Sequence, residues 1–403
     1  MTNKKKNDQI LEGSRAIALT VKNIKPQVVS AYPITPQTHI VEDLAQFKAD
    51  GRANYEYVRA ESEFAAASIV EGASAQGARV YSATCSQGLL LMAEVLFNIA
   101  GMRLPVVITC ANRGLSAPIT IWNDHQDAMT IRDAGWLMFF AENHQEAVEQ
   151  HILAYKLAEK TNLPAVVNID GFILTHSYEP VEIPGTAAIK KFLPNYKPKK
   201  NMTLDPDNPR TMGAFASPAY YMEIREQLHD DLLKATATIK KEYSRYLQIF
   251  GSNSNKSKAK IDNGLVEYYG PKYPKTLIIA MGSMVGTIKE TIDTSRKKAG
   301  VLKLRTFRPF PAQELKKIIK DLNPKNIAVL DKSISLGQMG PLASEVKALF
   351  QSPIPHLKTS RCHPNIQSFV VGLGGRDITR DKIKKIIKSV EEKQEDINGK
   401  FIG

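Results

Sequence analysis

A threonine on a stiff turn is the first feature of this chain that could bind a ligand. The stretch Ala-Tyr-Pro-Ile-Thr-Pro-Gln-Thr occupies positions 31–38 and places Thr35 between two prolines. Proline fixes φ and restricts the residue before it, so this turn is held extended. The apolar run before it, residues 28–32, predicts a buried strand, and a helical pattern follows. We therefore expect Thr35 at the carboxyl end of a strand, where open α/β sheets bind their ligands.

A carboxylate follows the next predicted strand. The sequence Glu-Ser-Glu at positions 61–63 starts a helical pattern directly after residues 55–59. The helix dipole stabilises an acidic side chain at this place, so Glu63 could simply be a favourable helix-terminal acid. Alternatively, it is a catalytic glutamate that points into a cleft. This stretch alone leaves both interpretations open.

Small and polar residues end a third strand. Ser86, Gln87 and Gly88 stand between an apolar run and an apolar helix. Small residues at a strand end leave room for a flat ligand, and helix N–H groups there can hold an anion. Ser86 could equally be a helix cap and nothing more.

Arg113 follows the fourth predicted strand, where a guanidinium group could bind a carboxylate through two hydrogen bonds. A surface ion pair is the alternative. The loop Trp-Asn-Asp-His-Gln-Asp at 122–127 adds polar groups, but its spacing does not define a metal site. A single histidine in such a loop, His125, is more often structural than catalytic. We predict no metal ligands on this chain.

Alternating strand and helix patterns must position these residues. Strands are predicted at 28–34, 55–59, 78–84, 105–111 and 165–170, with helices at 38–48, 62–75, 87–101 and 144–160. This alternation predicts an α/β fold with a parallel sheet covered by helices on both faces. All four polar stretches then lie at one edge of one sheet, where a cofactor would bind.

Two domains are predicted. Residues 1–250 form the first, which includes a proline-rich connection at 192–212 and a long amphipathic helix at 217–250. A polar linker follows Gly251. The second α/β domain spans residues 265–395, with buried strands near 276–281, 300–305 and 326–331.

Composition limits the class of protein. The 403 residues carry a formal net charge of +13, and the excess is spread over helical faces. Because no basic stripe interleaved with aromatic residues is present, the charge favours a solvated surface and we expect no nucleic-acid partner, although attraction for acidic partner proteins or anionic substrates stays open. No apolar run approaches the roughly 18 residues that span a membrane, and no secretory signal is recognisable. The three cysteines lie far apart without a C-x-x-C motif, which argues against an iron–sulfur or zinc site on this chain and favours a reducing, cytoplasmic location.

Taken together, the motifs resemble those of a known family. Tyr-Pro-Ile-Thr-Pro at 32–36, Glu-Ser-Glu at 61–63, Ser-Gln-Gly-Leu-Leu-Leu-Met at 86–92 and Trp-Asn-Asp-His-Gln-Asp at 122–127 are similar to motifs of the alpha subunit of 2-oxoacid:ferredoxin oxidoreductases. The enzymes that act on pyruvate are the most similar. The resemblance extends in order over nearly the whole chain.

The resemblance implies a thiamine diphosphate enzyme. It implies a pyrimidine-type thiamine-diphosphate-binding domain followed by a domain like the transketolase C-terminal domain. By this resemblance, Glu63 hydrogen-bonds N1′ of the aminopyrimidine and is catalytic, while Thr35 and Arg113 bind the substrate carboxylate. The remaining cofactor-binding residues would be Tyr32, Pro33, Ser86, Gln87 and Gly88.

The resemblance also implies partner subunits. A beta subunit would supply the diphosphate and Mg²⁺ site, because this chain lacks a Gly-Asp-Gly motif with a downstream Asn. Gamma and ferredoxin-like delta subunits, with the iron–sulfur clusters on partner chains, would pass electrons to ferredoxin. The implied reaction converts pyruvate and coenzyme A to acetyl-CoA and CO₂, and it is reversible. Sister enzymes that act on 2-oxoisovalerate share the motifs, and a structural subunit that only docks a catalytic partner is a further alternative.

Overall fold

The computed structural model describes residues 9–199, 201–251, 261–295, 298–350, 364–392 and 398–403. The polar linker predicted after Gly251, apart from Gly251 itself, lies outside these ranges, as do Cys362 and residues 1–8. Among the described residues, no helix is both long and apolar enough to cross a membrane.

The first sheet carries the predicted site residues at one edge. Its strands are β2 Val28–Ala31, β3 Glu56–Arg59, β4 Val80–Thr84, β5 Val107–Asn112, β6 Leu137–Phe140, β7 Ala165–Asp170 and β13 Thr306–Arg308. They lie in the order β13-β6-β7-β5-β4-β2-β3, all parallel except β13, which runs antiparallel to β6. Every residue of β4, β5 and β7 is buried, as expected for parallel strands covered on both faces.

Helices cover both faces of this sheet. They are α1 Gly13–Ile24, α2 Thr38–Ala49, α3 Glu63–Ala75, α4 Ser86–Gly101, α5 Gln126–Thr130, α6 His144–Thr161, α7 Thr186–Phe192 and α8 Pro218–Phe250. Side-chain caps define two of the starts: Ser62 accepts the N–H of Ala65 at 3.1 Å, and Asn143 accepts that of Glu146 at 2.9 Å. A separate antiparallel pair, β1 Gln9–Glu12 with β8 Tyr178–Val181, packs beside α1.

A second sheet forms the other half of the protein. Its strands are β9 Ile261–Asp262, β10 Val266–Tyr269, β11 Thr276–Ala280, β12 Ala299–Leu304, β14 Asn326–Asp331, β15 Asn365–Val371 and β16 Lys400–Ile402. The order is β16-β15-β14-β11-β12-β10-β9, parallel up to β12 and antiparallel at β10 and β9. Its helices are α9 Met284–Thr294, α10 Ala312–Leu322, α11 Pro341–Ala348 and α12 Arg380–Glu392.

Buried ion pairs and a strand from the second half of the chain join the two sheets. β13 follows β12 directly, yet it pairs with β6 of the first sheet. The Lys303 ammonium lies 2.6 Å from Glu142, which follows β6, and 2.8 Å from Glu267 on β10. These side chains are almost fully buried. Removing the lysine alone, or its glutamate partners alone, would therefore leave an uncompensated charge in the interior.

The predicted elements of the first half are all present. The strand predicted at 28–34 ends earlier, at Ala31, because Pro33 has no N–H to donate to a neighbouring strand. The long helix differs in its packing: Leu228 and Ile239 are buried as the amphipathic pattern indicates, whereas Tyr221 and Ile224 are exposed. The first turns of α8 therefore lie outside the core.

A buried histidine makes the stability of this fold sensitive to acid. His151 lies 2.6 Å from the hydroxyl of Thr109 and 2.6 Å from the carbonyl oxygen of Ala147. Burial lowers the pKa of His151 to about 4 from its ordinary 6.5. Between pH 6.5 and pH 4, His151 is protonated in the unfolded chain but neutral in the folded chain. The free energy of unfolding therefore decreases as the pH falls through this range. We expect this group alone to remove about 3 kcal/mol of unfolding free energy from pH 7.5 to pH 4.

Denaturant unfolding across this pH range tests the prediction. A His151→Gln variant should lose less stability on acidification than the wild type, whatever its stability at pH 7.5. His229→Gln is the matched control, because His229 is exposed on α8. Equal pH slopes for the wild type and His151→Gln would show that His151 does not carry the effect.

Candidate active site

The predicted site residues meet at the carboxyl edge of the first sheet. Thr35 follows β2, Glu63 follows β3, Ser86 follows β4 and Arg113 follows β5. The strands are neighbours in the order β3-β2-β4-β5. The strand that follows β2 in the chain, β3, lies on one side of it, and the next strand, β4, lies on the other side. Such a switch point leaves a crevice beyond the strand ends.

Glu63 is a buried carboxylate at the start of α3. Its side chain is 7% exposed, and it lies against Gly88 of α4. A Cβ at position 88 would stand 2.7 Å from Glu63 Oε1 and 2.5 Å from Thr84 Oγ1, so only glycine permits this approach. Ser62 caps the helix, and no hydrogen bond reaches the Glu63 carboxylate from any described residue. A carboxylate in this environment is available to a ligand, which favours the cleft interpretation over a helix-terminal acid.

Arg113 is fixed by backbone carbonyl groups. Its Nε donates to the oxygen of Thr120 at 2.7 Å, and its Nη1 donates to the oxygen of Thr35 at 2.9 Å. At 8% exposure it is not a surface ion pair. Within the described part of the chain, no carboxylate forms an ion pair with this guanidinium group, which also lies beside the Cys85 thiol.

Cys85 supports the same turn and was not predicted as part of the site. Its Sγ lies 3.1 Å from the carbonyl oxygen of Thr35. Burial, assisted by the nearby Asp127 carboxylate, raises the pKa of the Cys85 thiol above its ordinary value. The protonated thiol can therefore donate to Thr35 and hold the turn in place.

Asp127 is the central residue of the site that sequence reasoning missed. Its Oδ2 accepts the backbone N–H groups of Ser86 and Arg113, each at 2.9 Å, and its Oδ1 accepts Ala128 N–H at 2.7 Å and Asn112 Nδ2 at 3.0 Å. The side chain is fully buried. It links the start of α4 to the end of β5. The only sequence signal was its place in the 122–127 motif.

Ser86 has an internal role. Its backbone has φ of +48°, a left-handed conformation that is uncommon outside glycine, and Asp127 holds its N–H. Its hydroxyl lies 2.7 Å from the carbonyl oxygen of Gly114 and 2.6 Å from Gln87 Oε1. Ser86 therefore fixes the neighbouring loop and does not cap α4 with its side chain.

Two buried polar atoms near Gly88 and the Tyr32 turn lack partners in the described structure. Thr84 Oγ1 is one, and it would contact a Cβ at Gly88. Gln37 Oε1 is the other, although its Nε2 donates to the carbonyl oxygens of Tyr32 at 2.8 Å and Ala83 at 3.1 Å. Tyr32 and Pro33 are exposed on the turn. Thr84 Oγ1 and the Glu63 carboxylate face the same glycine and have no partner among the described residues, which fits a flat, hydrogen-bonding ring.

His125 belongs to a structural cluster. Its Nε2 lies 2.7 Å from Asp170 Oδ1, and Lys332 Nζ lies 2.5 Å from Asp170 Oδ2. Burial opposes ionisation of Asp170, but the Lys332 ammonium group and His125 hold its pKa well below the ordinary value. The cluster ties the end of β7 to the residue after β14, so it joins the two halves of the protein behind the site.

The role of Asp127 can be tested by removing its charge. In the wild type, backbone N–H groups donate to both carboxylate oxygens of Asp127. In Asp127→Asn, an amide NH₂ group would replace one of these oxygens and would face N–H groups to which it cannot bond. We expect a loss of about 2–3 kcal/mol in unfolding free energy, measured by denaturant titration. Asp133→Asn is the control, because the Asp133 side chain is 73% exposed, and it should change the unfolding free energy little. Equal stability of the two variants would show that Asp127 does not hold the strand ends together.

Comparisons with known proteins agree with this geometry. A family model described as "Pyruvate flavodoxin/ferredoxin oxidoreductase, thiamine diP-bdg" matches residues 20–244. A second, described as "Pyruvate:ferredoxin oxidoreductase core domain II", matches residues 275–383. The fold and site thus define an α/β protein with a thiamine diphosphate-binding domain.

Relatives identify the family. "Pyruvate synthase subunit PorA" of Methanocaldococcus jannaschii is 45% identical over 394 residues, which cover 96% of each chain. The protein of the same name from Methanosarcina barkeri is 45% identical over 95% of this chain and 92% of its own. "Ketoisovalerate oxidoreductase subunit VorA" of Pyrococcus horikoshii is 39% identical over 95% and 93%. The chain belongs to the pyruvate flavodoxin/ferredoxin oxidoreductase family.

A solved structure shares the fold. The 2-oxoglutarate:ferredoxin oxidoreductase from Magnetococcus marinus, solved with 2-oxoglutarate, coenzyme A and succinyl-CoA, superposes with a TM-score of 0.68 at 19% identity. The alignment covers 95% of this chain and 65% of that one, so this chain spans somewhat less than two thirds of the solved chain. The family resemblance and the α/β fold class predicted from the sequence are both confirmed.

Proposed function

We propose that this chain is the alpha-type subunit of a pyruvate synthase. With partner subunits it converts pyruvate, coenzyme A and oxidised ferredoxin to acetyl-CoA, CO₂ and reduced ferredoxin, reversibly. The observation that carries the proposal is the buried Glu63 carboxylate, without a hydrogen-bond partner among the described residues, at the same sheet edge as the fixed Arg113 guanidinium group. The 45% identity to pyruvate synthase subunits over nearly the full length supports the choice of substrate.

The first domain, residues 1–250, would hold the aminopyrimidine side of thiamine diphosphate. When bound, this cofactor supplies a carbon nucleophile and an electron sink for decarboxylation of a 2-oxoacid. Glu63 accepts a hydrogen bond from the ring nitrogen, and the polar atoms of Thr84 and Gln37 are available to the ring's other groups. Gly88 leaves the space that the ring and Glu63 need. Other lining residues are Tyr32, Pro33 and Gln87, and the buried Ser86 supports them through its hydrogen bonds to Gln87 and Gly114.

Thr35 and Arg113 bind the carboxylate of the 2-oxoacid. Arg113 is already oriented by Thr35 and Thr120, so little conformational entropy is lost when its guanidinium group contacts the substrate. Its burial strengthens the charge interaction relative to water. The Thr35 hydroxyl adds a second contact from the opposite side of the turn.

A second chain covers the face beside Glu63. Exposed apolar side chains stand on α3 and α4, the helices that carry Glu63 and Gly88: Phe64, Leu90, Leu91 and Phe97. A beta subunit that supplies the diphosphate and Mg²⁺ site is the partner that this position requires, because it would complete the cofactor site. Three scattered cysteines without a C-x-x-C motif support placing the iron–sulfur clusters on partner subunits, among which we include a ferredoxin-like delta subunit. We place the complex, with its gamma subunit, in the cytoplasm.

The C-terminal half, residues 265–395, is a transketolase C-terminal-like domain in this proposal. The family models support the division, because one match ends at residue 244 and the other begins at 275. The alternative predicted from the sequence is a sister enzyme that acts on 2-oxoisovalerate or another 2-oxoacid. The 39% identity to a ketoisovalerate oxidoreductase subunit supports this alternative.

A substrate panel tests the proposed function. The chain is purified with its partners and given pyruvate, 2-oxoisovalerate or 2-oxoglutarate, with coenzyme A and a viologen dye as electron acceptor. We expect the highest kcat/KM for pyruvate and no turnover by this chain alone. Preference for 2-oxoisovalerate would support the sister enzyme, and a complex that oxidises no 2-oxoacid would refute both.

A further inference from the structure

Three metal-ligating side chains from distant parts of the sequence meet on the side of α2. Glu12 ends β1, His39 lies in the first turn of α2, and His176 lies between β7 and β8. One nitrogen of each ring and one carboxylate oxygen all lie within 4.8 Å of one another. We propose that Glu12, His39 and His176 form a binding site for a divalent transition metal ion of the zinc class.

The donor set determines the class of metal. Two imidazoles and one carboxylate suit zinc and its first-row neighbours, whereas magnesium and calcium prefer oxygen ligands alone. The Glu12 carboxylate lies 2.7 Å from His39 Nδ1, so the two groups already approach each other without a metal. Small side-chain rotations bring three donors to metal–ligand distances of about 2.0–2.2 Å.

The ring of His176 is held in position by its neighbours. Its Nδ1 lies 2.7 Å from the hydroxyl of Thr175, which in turn accepts the N–H of Phe172 at 2.8 Å. The rings of Phe172 and His39 each lie 4.6 Å from it, measured between centroids. A hydrogen bond to one ring nitrogen orients the other toward a metal, as is usual for metal-binding histidines.

The electrostatic environment favours a cation. Glu12, Glu42 and Asp43 line an open pocket of about 400 Å³ together with His39 and Arg15. Arg15 pairs with Asp43, so the acidic side chains of this pocket still outnumber its one guanidinium group. Three protein ligands leave a coordination position for water or a small anion from this pocket.

The bound ion would connect three segments next to the Thr35 turn. His39 follows that turn by four residues, and Gly171, which precedes the His176 segment, packs against Pro36. We therefore expect the metal to act as a clamp that stabilises the chain, without taking part in the proposed reaction. The site departs from the sequence-based expectation of no metal ligands, because its members are too far apart to form a spacing motif.

Zinc titration of the full chain after removal of metals with a chelator tests the site. We expect one zinc ion per chain by competition with a chromogenic chelator, and a rise in melting temperature on binding. His39→Ala, His176→Ala and Glu12→Gln should each weaken zinc binding at least about tenfold. His229→Ala is the control, since this exposed histidine lies on α8. Cobalt in place of zinc should give a visible spectrum that His176→Ala abolishes.

Two results would overturn the proposal. One is zinc binding of equal strength in the wild type and in the three site variants. The other is absence of stoichiometric binding by the wild type. Glu12→Gln changes a partly buried residue and keeps the shape of its side chain. Weaker zinc binding by this variant therefore reports on the site even if the histidine variants fail to fold. The titration needs neither partner subunits nor substrate, and its outcome is independent of the proposed function.

Discussion

Glu63→Gln is expected to lower pyruvate-dependent turnover of the assembled complex by roughly 10²–10⁴-fold, the usual contribution of a positioned acid or base. Glutamine keeps the size of the side chain, so the contacts with Gly88 and Thr84 are preserved. It lacks the negative charge that favours proton uptake by the cofactor ring nitrogen. Turnover is measured by viologen reduction at saturating thiamine diphosphate, coenzyme A and pyruvate.

Glu61→Gln is the matched control for this change. Glu61 lies two residues earlier in the same motif, and its side chain is exposed. We expect near wild-type turnover from it, because an exposed charge outside the crevice cannot influence a buried ring strongly. If Glu63→Gln also turned over at the wild-type rate, the carboxylate would have no part in catalysis.

Arg113→Ala is expected to reduce kcat/KM for pyruvate by about 30- to 1,000-fold, which corresponds to a loss of about 2–4 kcal/mol for a charge-assisted contact. Arg113→Lys should be intermediate, because lysine keeps the charge but cannot bond two groups in a planar geometry. The measurement is the pyruvate dependence of viologen reduction at saturating cofactor.

Arg113 also supports the turn, and this role must be separated from substrate binding. Its loss removes one hydrogen bond from each of the carbonyl oxygens of Thr35 and Thr120. Cofactor affinity and melting temperature are therefore measured alongside the kinetics, with Arg52→Ala as a control at an exposed arginine. An unchanged kcat/KM in Arg113→Ala, with the fold intact, would refute the assigned contact with the substrate carboxylate.

Local sequence signals predicted the residues that stand directly after strands. Thr35 was found because two prolines stiffen its turn, and Glu63 because an acid follows a strand at a helix start. Gly88 was proposed for the space it leaves, and the contact with Glu63 and Thr84 gives that space its reason. Such signals depend only on residues a few positions away in the chain, so they can be recognised in a single sequence.

Residues that act through distant backbone groups could not be predicted in this way. Asp127 accepts the N–H of Ser86 from 41 positions away, and any residue except proline can supply such an N–H. Cys85 donates to a carbonyl oxygen 50 positions away. Neither partner leaves a side-chain pattern in the sequence.

Two of the strands that the sequence did not predict, β6 and β13, have a related explanation. β6, Leu137–Phe140, is a short apolar run that could equally belong to a buried helix. β13, Thr306–Arg308, joins the first sheet from the second half of the chain, and its pairing with β6 is set by tertiary structure alone. Local patterns carry no information about a partner so far away.

The most direct test of the central claim is a structure of the assembled complex with thiamine diphosphate. We predict that a Glu63 carboxylate oxygen lies within about 2.6–3.2 Å of N1′ of the aminopyrimidine ring, the range of a hydrogen bond that transfers a proton. The diphosphate should be bound by a different chain. A cofactor bound entirely within another subunit, with Glu63 away from N1′, would contradict the account.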